Sequence, residues 1–144
     1  MRGLTSLSLI VVVLLIVALM AYIRLTPLPA ARFHKRGPDK PVGEQVVPIG
    51  FEIVLPLTDD PQAQLAALDR IILNSPRTRR LAGSLADGHL SYVSRTAFWG
   101  FPDITNVWIG ANGVHIRGRQ RFGGKDFGVN ATRIRGWVAR LSPA

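Results

Sequence analysis

No cysteine occurs in this chain, so disulfides, thiolate metal sites and thiol nucleophiles are excluded from the start. Acidic residues are scarce: nine Asp and Glu stand against 18 Lys and Arg, and only three of those 18 are lysine. The formal charge of +9 favours anionic partners such as lipid head groups or phosphorylated ligands. Catalytic signatures are missing as well. There is no GxxxxGK[ST] loop, no Gly-x-Ser-x-Gly elbow and no His-x-x-x-His pair, and nothing calls for a cofactor or a metal. No helix-turn-helix or C2H2 finger appears, so nucleic acid is not an expected partner.

Charge is absent altogether from Leu4 to Ile23. A helix rising about 1.5 Å per residue crosses a hydrocarbon layer of roughly 30 Å in about 20 residues, the length of this run. A cleaved signal peptide would have a shorter apolar region and a small-x-small site, which Leu19 and Met20 do not provide. The expectation is an uncleaved single-pass anchor over 1–24 in a cell (inner) membrane. Positive-inside counting sets Arg2 against Arg24, Arg32, Lys35, Arg36 and Lys40 and places the following domain in the cytoplasm. The short basic start resembles an export signal and tips the expectation towards the periplasm.

Residues 25–48 carry Pro27, Pro29, Pro38 and Pro41 with little apolar periodicity, and read as a semi-rigid solvated linker. Its basic patch, Arg32 to Arg36, lies close enough to the bilayer to meet head groups. Residues 49–144 have room for one domain with a modest core.

That domain is expected to be α+β. Phe51 to Leu57 alternates apolar and polar residues as a half-buried strand does. Asp60 and Pro61 start a helix whose stripe is Leu65, Leu68, Ile71 and Ile72. Thr78 to Leu85 and His89 to Thr96 flank the turn pair Asp87-Gly88, and Ile104 to Ile109 and Val114 to Phe122 flank Ala111 to Gly113. Ile134, Trp137, Val138 and Leu141 make a last amphipathic helix from Asn130, which is read as its cap. The order is strand, helix, four strands, helix, with an antiparallel sheet and both helices on one face.

Within Val114 to Phe122, His115, Arg117, Arg119 and Arg121 share one face of a strand. Like charges about 7 Å apart repel unless something negative lies among them, which makes this row the candidate anion site. Glycines from Gly123 and amides near Asn130 suit a phosphate or carboxylate. Asp103, Asp126, Asn130 and Arg133 complete the candidate ligand-binding set. The purely structural reading is an ion pair of Asp126 with Arg117 or Arg121. No catalytic residue is assigned, and a hydrolase would have to use Asp103, Asp126 and His115 as an acid/base set.

Arg117 and Arg121, followed by Gly123, Asp126, Gly128, Val129, Asn130, Arg133 and Ile134, resemble the C-terminal signature of the domain of unknown function 1499 family. That signature reads approximately R-S-x-S-R-x-G-x-x-D-x-G-V-N-x-x-R-I, and Phe101 to Asp103 resembles the family's upstream Phe-x-Asp. The resemblance spans Phe51 to Leu141, with Gly118 and Gln120 at the two serine positions. It implies a small bacterial or plastid domain behind a membrane or export segment, with no established activity. The reading is therefore a membrane-anchored, non-catalytic module for an anionic ligand or lipid head group. Its expected partners are membrane lipids, an anionic small molecule or a membrane protein. A structural or assembly factor using Phe98, Trp99 and Phe101 is the alternative.

Overall fold

The computed structural model describes residues 1–142, and its apolar run forms one helix, α1 (Arg2–Leu25). Gly3–Leu25 is long and apolar enough to cross a bilayer, and at the N-terminus it also meets the description of a signal sequence. One helical turn, α2 (Ala30–Phe33), and a short strand, β1 (Gly43–Gln45), lie in the proline-rich stretch.

The remaining elements run β2 (Phe51–Leu55), α3 (Pro61–Leu73), β3 (Thr78–Ser84), β4 (His89–Arg95), β5 (Pro102–Ile109), β6 (Val114–Gln120) and α4 (Val129–Leu141). The α+β order read from the sequence holds, with β1 added. All pairings are antiparallel, in the order β1-β2-β6-β5-β4-β3. Gly88, at φ 61, adopts the positive dihedral that the Asp87-Gly88 signal requires at the β3–β4 turn. Pro61 opens α3, and the Asp60 carboxylate accepts the Ala63 N–H at 2.9 Å.

Period-two alternation gives the sheet two faces. Phe51, Leu55, Leu90, Tyr92, Val107, Val114 and Ile116 point to one, where Leu65, Leu68 and Ile72 of α3 and Ile134 and Trp137 of α4 close the core. The opposite face carries Glu52, His89, Ser91, Asn106, Trp108 and His115, all of them buried. Alternation alone assigns such residues to water. They are buried because the chain from Phe33 to Lys40 lies across them, hydrogen-bonded to Ser91, Asn106 and Glu52. This part of the proline-rich stretch is thus packed on the sheet rather than solvated.

The start of α4 also departs from the expectation. Gly128, at φ 76, occupies the N-cap, and Asn130 lies inside the helix, fully buried against the sheet. A Cβ on Gly118 would stand 2.6 Å from Asn130 Oδ1, so the bare backbone of β6 lets α4 approach.

Candidate functional site

On the face covered by Phe33 to Lys40, the Glu52 carboxylate is wholly buried and gathers three basic side chains. Lys40 Nζ donates to Oε2 at 2.8 Å, His115 Nδ1 lies 3.2 Å from Oε1, and Arg117 Nε lies 3.5 Å from Oε2. His115 Nε2 faces Asp39 at 3.4 Å, and the imidazole stacks on Trp108 with ring centres 4.6 Å apart. A buried carboxylate is stable only with such compensation. His115 and Arg117 are therefore occupied in holding the fold.

Beside them, Asn106 joins the covering segment to the sheet. Its Nδ2 donates to the Phe33 carbonyl at 3.0 Å, and its Oδ1 accepts the Lys35 N–H at 3.2 Å. Those backbone partners fix which end of the amide is which. Ser91 Oγ then donates to Asn106 Oδ1, so His34 Nδ1, 2.6 Å from Ser91 Oγ, is the donor to that hydroxyl. An activated serine needs the reverse, a histidine accepting its proton. His34 also stacks on His89 at 3.8 Å. Burial, ahead of the nearby His34 and Arg36 charges, pushes the His89 pKa down to about 4.

Arg119 and Arg121 differ from their strand neighbours. Among the described residues neither forms an ion pair, and nor does Arg32. The three line one cavity of about 270 Å³ with Phe33, Ile49 and Ile104, and no carboxylate lines it. The guanidinium carbons of Arg32 and Arg121 lie 5.4 and 5.5 Å from the Phe33 ring centre. Partial desolvation, then repulsion from Arg117, lowers the Arg119 pKa.

The acidic members of the expected set stand on the other face. Arg133 Nη1 donates to Asp103 Oδ2 at 3.0 Å and to Asn130 Oδ1 at 3.2 Å, and Asn130 Nδ2 donates to Asp126 Oδ1 at 2.8 Å. Burial raises the Asp103 pKa against the opposing pull of Arg133. Asp126 makes no ion pair with Arg117 or Arg121. It receives the Asn130 backbone N–H instead, at 3.3 Å, and so serves the first turn of α4.

The sheet thus divides the candidate residues. His115, Arg117, Arg119 and Arg121 share one face, as their alternation requires, while Asp103, Asp126, Asn130 and Arg133 form a chain of hydrogen bonds on the other. His115 is not brought together with Asp103 and Asp126. Glu52 and Asn106 escaped the sequence reading, while Arg32 and His34 entered it only as part of the basic patch of the linker and not as partners of the sheet. The signal available was polar residues recurring on the non-core face of three successive strands, more than a solvated face explains. Among the described residues no three His, Asp or Glu are grouped to hold a metal ion.

An apolar N-terminal helix, long enough to cross a membrane, followed by a six-stranded antiparallel sheet with two helices on one face defines an α+β protein. The chain belongs to the family described as protein of unknown function (DUF1499), whose model matches residues 38–141. Neither the curated proteins nor the solved structures give a match.

Proposed function

We propose that this protein is a membrane-tethered module that holds an anionic group, a lipid head-group phosphate in particular, between Arg32, Arg119 and Arg121. The observation that carries the reading is the convergence of three guanidiniums on a cavity with no carboxylate in its lining. Charges of one sign held together in a concave wall raise the local concentration of the opposite sign, and guanidinium forks suit phosphate oxygens. Arg32 lies seven residues beyond the end of α1, within reach of head groups if that helix is retained.

The test is a thermal shift on the detergent-solubilised full chain with dihexanoyl phosphatidic acid, using dihexanoyl phosphatidylcholine as control. The acidic lipid is expected to raise the melting temperature in a salt-dependent way, and Arg119→Gln with Arg121→Gln to abolish the rise. An equal rise in the double variant would remove the reading.

A further inference from the structure

A second cavity, of about 350 Å³, opens at the same end of the sheet but on its helix-bearing face. Phe101, Phe122, Phe127 and Val129 give it an apolar wall, beside Thr96 and Gln120, and Asp103, Lys125 and Asp126 bring charged groups to the same lining. Its location follows from the end of α1. Tyr22 meets Phe122 edge-on with ring centres 6.3 Å apart. Arg24 Nη2 donates to the Phe98 carbonyl at 2.7 Å, and Arg95 Nη1 reaches the carbonyls of Ile23 and Gly100 at 3.4 and 2.8 Å. The last turn of the apolar helix is therefore fastened to the loops that border the cavity, and Ile23 is 2% exposed there.

Two rings beside this junction are left without cover: Phe98 is 65% exposed and Phe127 is 88% exposed. Phe127 also has φ 52, an uncommon conformation for a bulky residue, and the neighbouring Gly128 is left-handed as well. Large apolar rings standing in water next to a membrane-length helix have the placement of interfacial anchors, apolar body towards the lipid. A helix that spans the hydrocarbon with Leu4 to Ile23 sets Tyr22, and with it Phe122, at the boundary of the bilayer.

We propose that the bilayer end of this cavity admits one hydrocarbon chain of a membrane phospholipid, drawn out beside α1 and held against Phe101, Phe122 and Val129. The inference rests on α1 being retained, and it is independent of the head-group reading. Gln120 adds a polar detail: its Nε2 is buried without a hydrogen-bond partner, and the residue lines both this cavity and the arginine-lined one. An unused donor there suits an ester carbonyl, the group that joins chain to head in such a lipid.

The experiment uses the full chain reconstituted in phosphatidylcholine vesicles carrying a phosphatidylcholine with a diazirine at the chain terminus. After irradiation, labelled peptides are mapped by mass spectrometry. Label is expected on Phe101 and on the Phe122 to Val129 segment as well as on α1. Val129→Trp, which fills the wall, should cut the domain label about tenfold and leave the α1 label as internal standard. Thr96→Phe closes the cavity from the opposite side if the first variant does not fold. Arg119→Gln with Arg121→Gln should leave the label in place, because this lipid is neutral overall, so the two readings fail separately. Label confined to α1, or found only on Phe98 and Phe127, would overturn the proposal, as would unchanged domain labelling in a folded blocking variant.

Discussion

Lys40 Nζ donates to Glu52 Oε2 at 2.8 Å, joining the end of the proline-rich stretch to the buried face of β2. Together with the contacts of Phe33, His34 and Lys35, the pair makes residues 33–40 part of the folded unit. Without that covering segment, Glu52, Asn106 and His115 would lose partners that the sheet itself does not replace.

Lys40→Met should therefore destabilise the full chain. Glu52 keeps Arg117 at 3.5 Å but loses its shortest charge-assisted hydrogen bond, which costs about 2 kcal/mol. A lowered urea midpoint with an unchanged slope would register this. Removal of everything before residue 43 should cost more than the point variant, because the Asn106 and His115 contacts go with it.

Tyr92 Oη donates to Asp69 Oδ1 at 2.8 Å inside the core, with Arg80 bound to the same carboxylate. Burial, ahead of the Asp69 hydrogen bond, pushes the Tyr92 phenol well above its ordinary value of 10.0. The unfolded phenol ionises first as pH rises past 10, so this part of the stability is complete below pH 10. It is lost above that value at about 1.4 kcal/mol per pH unit. Tyr92→Phe should abolish that slope, at a cost of about 1.5 kcal/mol near neutrality. Denaturation curves from pH 8 to 11 compare the two.

His89 gives the opposite limb. Its folded pKa of about 4 lies below the ordinary 6.5, so the unfolded chain takes up a proton first as pH falls. The contribution is complete above pH 6.5 and disappears as pH drops towards 4. His89→Asn should flatten this limb in a thermal melt series from pH 7.5 to 4.

Asp126→Ala should leave the protein folded and cost about 1 kcal/mol, the scale of a lost helix-terminal acceptor. Gly118→Ser tests the same junction from the strand side. Its Cβ would crowd Asn130 and Ile134, and the expected loss is about 2 kcal/mol by thermal denaturation. A larger effect for Asp126→Ala than for Gly118→Ser would contradict the hydrogen-bond account.

Much of the fold was legible because its signals are local. The Asp60-Pro61 start of α3, the Asp87-Gly88 turn and the stripe Ile134, Trp137, Val138 are each set by a few neighbouring residues. Asn130 shows where locality misleads. Its type and position suit a cap, but the left-handed pair Phe127-Gly128 starts α4 earlier and turns the amide into the sheet. For the site, alternation correctly put His115, Arg117, Arg119 and Arg121 on one side. It carried no information on which of them would already have partners.

By itself the amino-acid order determined the membrane-length apolar segment, the succession of elements and the two-sidedness of each strand, since these follow from length, period and turn chemistry along the chain. The tertiary structure alone decided that Glu52 would claim Arg117 and His115, that Arg32 would join Arg119 and Arg121, and that the acidic residues would lie across the sheet from them. Charge pairing depends on which distant segments meet, and Lys40 reaches Glu52 only because the chain ahead of β1 folds back over the sheet.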